Sequence, residues 1–199
     1  MLLLASTSPQ RRAILEQLRI RYEAVAPRYE EHDPPDADPV ALVREHAAGK
    51  ARSVHRAGGV TLGVDTTVHL DGRVYAKPDG PDGAATMLRE LAGRTHAVLS
   101  GLCLLTGAGE RLEHAETRVT FRRLDGEAIA AYVASGEWEG RAGGYAIQGL
   151  GGRLVERIDG DYLNVVGLPG ALLLDVLEAE APALLRAGGS DAARLHSAD

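Results

Sequence analysis

The chain opens on an unbroken apolar run, Met1–Ala5, too short for a helix and suited to a strand covered on both faces. Pro9–Leu18 then places Ile14, Leu15 and Leu18 on one side of a 3.6-residue repeat, which predicts an amphipathic helix. Ser8 suits its N-cap and Pro9 its first position, where a missing N–H is no loss. Tyr22–Ala26 alternates as a second strand. Arg28–Asp38 is acidic and proline-bearing (Glu30-Glu31-His32-Asp33-Pro34-Pro35) and reads as a loop. Asp38-Pro39 repeats the cap-and-proline signal and starts a helix to about Ala57.

Val60–Val64 reads as a strand ending at Asp65. Val68–Leu70 and Arg73–Tyr75 flank Asp71-Gly72, a strong hairpin signal. Pro81–Leu91 is helical in pattern, with Met87, Leu88 and Leu91 on one face. Ala97–Leu105 and Glu113–Arg122 are strands joined by Thr106–Gly109, and Asp125 caps a helix to Ala134. Ser135–Gly152 holds seven glycines and predicts an irregular binding loop. Leu154–Ile158 is a strand, Asp159-Gly160 a turn and Pro169–Leu177 a helix. Beyond Glu178 the composition turns to Ala, Glu, Arg and Gly, and residues from about 186 read as a frayed tail. The alternation predicts an α/β protein, and the hairpins require a mixed sheet. No repeat or linker divides the 199 residues, so one domain is expected.

A net charge of −6 argues against a binder of nucleic-acid polymer or of an anionic membrane surface. A polyanionic ligand would have to meet locally gathered cations. Cys103 has no partner for an internal disulfide and sits in the apolar stretch Leu102–Leu105, as a buried thiol would. No leader pattern and no window of membrane-span length appear, so the cytoplasm is the expected compartment.

Four segments carry candidate chemistry. Ala5-Ser6-Thr7-Ser8-Pro9-Gln10-Arg11-Arg12 gathers a helix N-terminus, hydroxyls and two guanidinium groups, an arrangement suited to phosphate or to a plain capped surface helix. Gly63-Val64-Asp65-Thr66-Thr67 puts a carboxylate at a strand end, where α/β sheets place chemistry. Asp65 there suits a Mg²⁺ ligand, a base or a turn cap. Lys77, in Ala76-Lys77-Pro78, suits a phosphate or solvent. In Arg141–Gly152, glycines allow close backbone approach, and Gln148 offers both donor and acceptor to a nucleobase edge. Glu31 and Lys50 are further candidates, each against the alternative of a solvated charge. The seven histidines have no metal-ligand spacing, and neither a P-loop nor a nucleophile elbow is present.

Together these segments resemble the Maf family of nucleoside triphosphate pyrophosphatases. Thr117-Arg118-Val119-Thr120-Phe121, Ala142-Gly143-Gly144-Tyr145-Ala146-Ile147-Gln148-Gly149 and Gly160-Asp161-Tyr162-Leu163-Asn164-Val165-Val166-Gly167-Leu168-Pro169 complete the pattern. The resemblance implies an inosine-triphosphatase-like fold, a mixed sheet flanked by helices with two lobes around a groove. It implies cleavage of nucleoside triphosphates to the monophosphate and pyrophosphate with a divalent cation (Mg²⁺, Mn²⁺ or similar), and a homodimer is compatible with it. Asp65 corresponds to the proton acceptor. Ser8, Arg11, Glu31, Lys50 and Lys77 correspond to the groups that hold triphosphate and metal, with Glu31 and Asp65 the metal candidates.

Gln10, Thr66 and Gln148 fall on the family's specificity positions. Thr66 and Gln148 match the dTTP/UTP type, whereas Gln10 stands where that type usually has arginine. Trp138-Glu139-Gly140-Arg141 also departs from the acidic, proline- and lysine-bearing version common there. The competing readings are a 7-methyl-GTP pyrophosphatase and a non-catalytic nucleotide-binding regulator of septum formation. The pyrophosphatase reading carries with it removal of non-canonical nucleotides and a role in arresting cell division.

Overall fold

A computed structural model describes residues 1–32, 34 and 37–186. In chain order these form β1 (Leu2–Ala5), α1 (Pro9–Gln17), β2 (Tyr22–Val25), α2 (Pro39–Val54), β3 (Val60–Leu70), β4 (Arg73–Tyr75) and α3 (Pro81–Leu91). There follow β5 (Thr95–Thr106), β6 (Gly109–Phe121), α4 (Gly126–Ala134), two 3-10 turns (Ala142–Gly144 and Leu150–Leu154), β7 (Val155–Asp159), α5 (Tyr162–Val166), α6 (Gly170–Glu180) and α7 (Ala183–Arg186). The expected frayed tail falls almost entirely on residues 187–199, outside the described residues, as do Asp33, Pro35 and Asp36 of the acidic loop.

The strands make one seven-stranded mixed sheet, ordered β2-β1-β3-β5-β6-β7 with β4 also on β3. β1 runs parallel to β2 and β3, and the remaining pairs are antiparallel. Helix starts follow the local chemistry. Ser8 accepts from the Arg11 N–H at 3.4 Å, Asp38 from Val40 and Ala41, and Asp125 from Ala128, each satisfying an otherwise orphaned donor. Asp71 (φ 50°) and Gly72 (φ 82°) make the left-handed pair that a two-residue hairpin turn requires.

One expectation is corrected: the strand does not end at Asp65. β3 continues through it to Leu70, because β5 pairs without a break from Thr61–Leu105 to His69–Ala97. Tertiary pairing carries an acidic residue that local propensity would have put in a turn. Smaller differences are α5 and α7, which the pattern did not reveal, β6, which begins at Gly109 rather than Glu113, and α2, which stops at Val54 rather than about Ala57.

Two cores share the long strands. Leu62 and Val64 of β3 pack with Ile14 and Leu15 of α1 and with Leu173, Val176 and Leu177 of α6. Val68 and Leu70 of the same strand pack instead with Leu88 and Leu91 of α3, Ile129 and Tyr132 of α4, and Phe121. Truncating a fully buried leucine such as Leu62 or Leu88 to alanine costs about 2–5 kcal/mol. The polar step Asp65–Thr67 lies where one core gives way to the other.

On the opposite sheet face, α2 lies almost on the strand backbones. A Cβ at Gly63 would stand 2.1 Å from the Ala47 carbonyl oxygen, and one at Gly101 would stand 2.0 Å from that of Val43. Only glycine permits this approach. Ala47, Ala48, Ala51 and the buried, unoxidised Cys103 fill the seam. Burial pushes that thiol up to about 12, with Glu110 adding to the shift, so it is inert near neutral pH.

Candidate active site

β3 has two edges, and β5 covers one of them throughout. On the other, β1 pairs only as far as Gly63 and β4 only from Val68. Residues 64–67 are therefore left with an open edge at the point where the neighbouring strand changes, the position at which open α/β sheets present ligands. Alternation along the strand sends Val64 and Thr66 to the α1 face and Asp65 to the α2 face. A cleft of about 660 Å³ opens at this notch. All nine residues singled out from the sequence line it: Ser8, Gln10, Arg11, Glu31, Lys50, Asp65, Thr66, Lys77 and Gln148.

At the α1 end, Arg11 is held by three separate acceptors. Its Nε donates to the Gly167 carbonyl at 2.9 Å, one terminal nitrogen to Ser6 Oγ at 3.2 Å, and the other to Thr66 Oγ1 at 3.4 Å. A guanidinium has five N–H groups, so two stay available to a ligand in a fixed orientation. Burial lowers its pKa, opposed by the charges of Asp65 and Glu31, and an arginine so placed stays cationic. Thr66 Oγ1 also lies 2.9 Å from the fully buried Ser100 Oγ and 3.3 Å from the Gly167 carbonyl. Its hydroxyl is thus occupied inside the protein, and what it fixes is Arg11. Gln10 is engaged locally, its Oε1 accepting from Ser8 Oγ at 3.1 Å.

At the α2 face, Lys50 Nζ lies 2.5 Å from Asp65 Oδ1 and 2.5 Å from Glu31 Oε1. The lysine side chain is 9% exposed, Asp65 13% and Glu31 47%. A buried ammonium is retained because the two carboxylates compensate its lost hydration. Each carboxylate commits one oxygen to Lys50 and keeps the other, and the cluster carries one net negative charge.

The far wall differs. Lys77 and Gln148 are exposed and make no hydrogen bond or ion pair with the described residues. The backbone behind Gln148 is nonetheless anchored. Tyr132 Oη accepts from the Ala146 N–H at 2.9 Å, and Tyr145 Oη lies 2.9 Å from His96 Nε2. Gly143, at φ 70°, sits against Val68, where a Cβ would meet the valine at 2.9 Å. Sequence reasoning did not single out Arg141 as a site residue. It lines the cleft, and its buried Nε has no hydrogen-bond partner among the described residues. Gly167, which supports Arg11 directly, and Ser100, which holds Thr66, were also missed; they lie 156 and 89 residues from Arg11 in the chain, beyond the reach of any local signal.

A mixed sheet carrying two cores, split by a cleft whose charged groups come from both sides, defines an α/β protein of the two-lobed type. The chain belongs to the Maf family: the Maf-like protein profile matches residues 1–180. Among its relatives, the dTTP/UTP pyrophosphatase of Gloeobacter violaceus is 46% identical over 178 residues, covering 88% of this chain and 94% of that protein. Those of Nitratidesulfovibrio vulgaris and Moorella thermoacetica, which bear the same name, are 46% identical over 180 residues and 47% over 174. These alignments cover 88% and 84% of this chain, and 85% and 89% of the respective relatives. No helix among the described residues is long and apolar enough to cross a membrane.

Proposed function

We propose that this cleft hydrolyses nucleoside triphosphates of the dTTP and UTP type to the monophosphate and pyrophosphate. The observation that carries the reading is the Glu31–Lys50–Asp65 cluster at the open edge of β3, directly beside the pre-oriented Arg11. In a chain of net charge −6, Arg11, Lys50, Lys77 and Arg141 nonetheless all border the one space where a triphosphate would lie. The names of the relatives supply the substrate class.

In this reading water attacks the α-phosphorus. The new P–O bond forms as the bond from Pα to the bridging oxygen breaks, and pyrophosphate leaves with the electron pair. The water's proton passes to the Asp65 oxygen not engaged by Lys50. Lys50 keeps both carboxylates in place and screens their charge from the incoming polyanion. Arg11, Lys77 and the α1 N-terminus hold the triphosphate against charge building on the leaving group. Each charge-assisted contact contributes roughly 1.5–3 kcal/mol, so several aimed at the transition state account for a large rate enhancement.

The donor set fits a hard divalent cation such as Mg²⁺ or Mn²⁺. Two carboxylates each retain a free oxygen, and no set of three metal-ligating side chains forms among the described residues. Glu31 would hold such an ion, joined by Asp65 where its free oxygen is a ligand and not the proton acceptor, with water and phosphate oxygens completing the shell, as is usual for Mg²⁺ at phosphates. When bound it supplies charge neutralisation and Lewis acidity. We read residues 1–199 as one catalytic unit acting in the cytoplasm on free nucleotides.

The test is a panel of nucleoside triphosphates, including 7-methyl-GTP and 5-methyl-UTP, assayed with Mg²⁺ and with Mn²⁺. Pyrophosphate together with UMP or dTMP is the expected product. Orthophosphate with a diphosphate, or no turnover of any nucleotide, overturns the reading.

A further inference from the structure

Glu31 is the exposed member of its cluster, and it lies on a segment with no regular structure. Something must hold that segment on α2, and the helix surface identifies it. His46, Gly49, Lys50 and Ser53 stand at i, i+3, i+4 and i+7, which is one helix face. Each meets the chain between Arg28 and Glu31. The Arg28 N–H donates to Ser53 Oγ at 3.0 Å. The Tyr29 ring lies over Gly49, and its hydroxyl is 3.0 Å from His46 Nδ1. Glu31 then closes on Lys50.

Gly49 ties this contact to the sequence. A glycine inside a helix costs about 1 kcal/mol relative to alanine, and α2 carries one in its third turn. The reason is steric: a Cβ at Gly49 would stand 2.2 Å from Tyr29 Cε2. The absent side chain makes the seat for the ring. The Tyr29 and His46 rings meet edge to face, with centroids 5.6 Å apart.

We propose that Tyr29, seated on Gly49 and bonded to His46, is a positioning residue that holds the Glu31 carboxylate at the reaction centre. The inference rests on the reading of the cleft given above. Tyr29 touches no reacting atom; it acts through Glu31 by fixing the backbone two residues earlier.

The test combines single and double variants with two readouts, UTP turnover and tryptic cleavage after Arg28 followed by mass, with thermal melting as the check on folding. Glu31→Gln should lower kcat by about 100-fold or more. Tyr29→Ala should lower kcat about 10- to 100-fold through misplacement of the carboxylate. Its KM for UTP should stay near the native value, because Arg11 and Lys77 are untouched, and cleavage after Arg28 should accelerate. Tyr29→Phe, which keeps the ring seat, should recover most of the loss. Gly49→Ala should reproduce Tyr29→Ala, yet add nothing in the Tyr29→Ala background, where the methyl group has room. In the Glu31→Gln background Tyr29→Ala should likewise cost nothing further.

Native kcat in Tyr29→Ala, or losses that multiply independently in the Tyr29→Ala/Glu31→Gln pair, would overturn the positioning role. So would a lowered melting point with unchanged turnover. Full activity of Glu31→Gln would instead overturn the functional assignment of Glu31. In that event the tryptic pattern still reports separately on the clamp, and unchanged cleavage in Tyr29→Ala overturns it too.

Discussion

At the end of the cleft bordered by α1 and α2, the charged groups are already partnered. Arg11 spends three donors on Gly167, Ser6 and Thr66, and Lys50 is shared between two carboxylates. At the end bordered by β4 and the glycine loop, Lys77 and Gln148 stand in solvent on an anchored backbone. The first arrangement has met its ordering cost during folding, so its dipoles need not reorganise when charge develops. The second meets that cost on each binding event, roughly 0.5–1.5 kcal/mol per immobilised side chain. Rate should therefore depend steeply on the first end, and base preference modestly on the second.

The sharpest way to break this contrast is Asp65→Asn. The amide keeps the shape and can still face Lys50, which retains Glu31, but it cannot accept the proton. Turnover should fall about 10³-fold or more, within the span of general-base effects, while the melting temperature moves by only a few degrees. Pyrophosphate release and a thermal scan measure both. A variant within tenfold of native turnover would remove Asp65 from the chemistry. Lys50→Met should lose activity and stability together, because two carboxylates are left facing each other. Its destabilisation should fall short of the roughly 3–5 kcal/mol of a fully buried pair, since Glu31 is half-exposed.

Why some of this could be read from the sequence and some could not follows from where the information resides. Ser8-Pro9, Asp38-Pro39 and Asp71-Gly72 are local signals, and each forms the cap or turn its chemistry dictates. Asp65 was legible as a candidate but not as a mid-strand residue, because its pairing with Gly101 is a tertiary fact. Lys50 looked like any helix lysine until the Tyr29–Glu31 segment covered it. Thr66 illustrates the reverse case: its place at the notch followed from its neighbour, but its partners Ser100 and Gly167 come from distant segments. Five-residue α5, capped by Asp161, whose carboxylate accepts from the Leu163 N–H, is too short for a periodic pattern to declare it.

The anchored wall behind the glycine loop offers a second, smaller test, this time of stability. Burial pulls the His96 imidazole down to about 4 from an ordinary 6.5, so it is neutral near pH 7 beside Phe121 and Tyr145. The unfolded chain takes up its proton first as pH falls. Stability should be complete above about pH 6.5, decline as pH drops, and have lost this contribution below about 4, by roughly 3 kcal/mol in all. Denaturant unfolding at pH 7 and pH 5 should show a pH dependence that His96→Phe flattens. Parallel curves would mean that the imidazole titrates alike in both states.

Gln148 gives the smallest effect and the finest reading of the contrast. Its amide can donate to a carbonyl of uracil or thymine and accept from the ring N–H, and nothing within the described residues competes for it. Gln148→Glu keeps an acceptor and loses the donor, so a pyrimidine edge forfeits one hydrogen bond, whereas a guanine edge, richer in N–H groups, does not. One exposed hydrogen bond contributes about 1 kcal/mol. The variant's kcat/KM should thus fall about fivefold to tenfold more for UTP than for 7-methyl-GTP. Equal losses on both would shift discrimination from the exposed amide to the rigid end of the cleft, through Gln10 and the Thr66–Arg11 contact. A loss for UTP approaching that of Asp65→Asn would mean that the two ends are coupled through the bound nucleotide and are not the separate devices their hydrogen bonding describes.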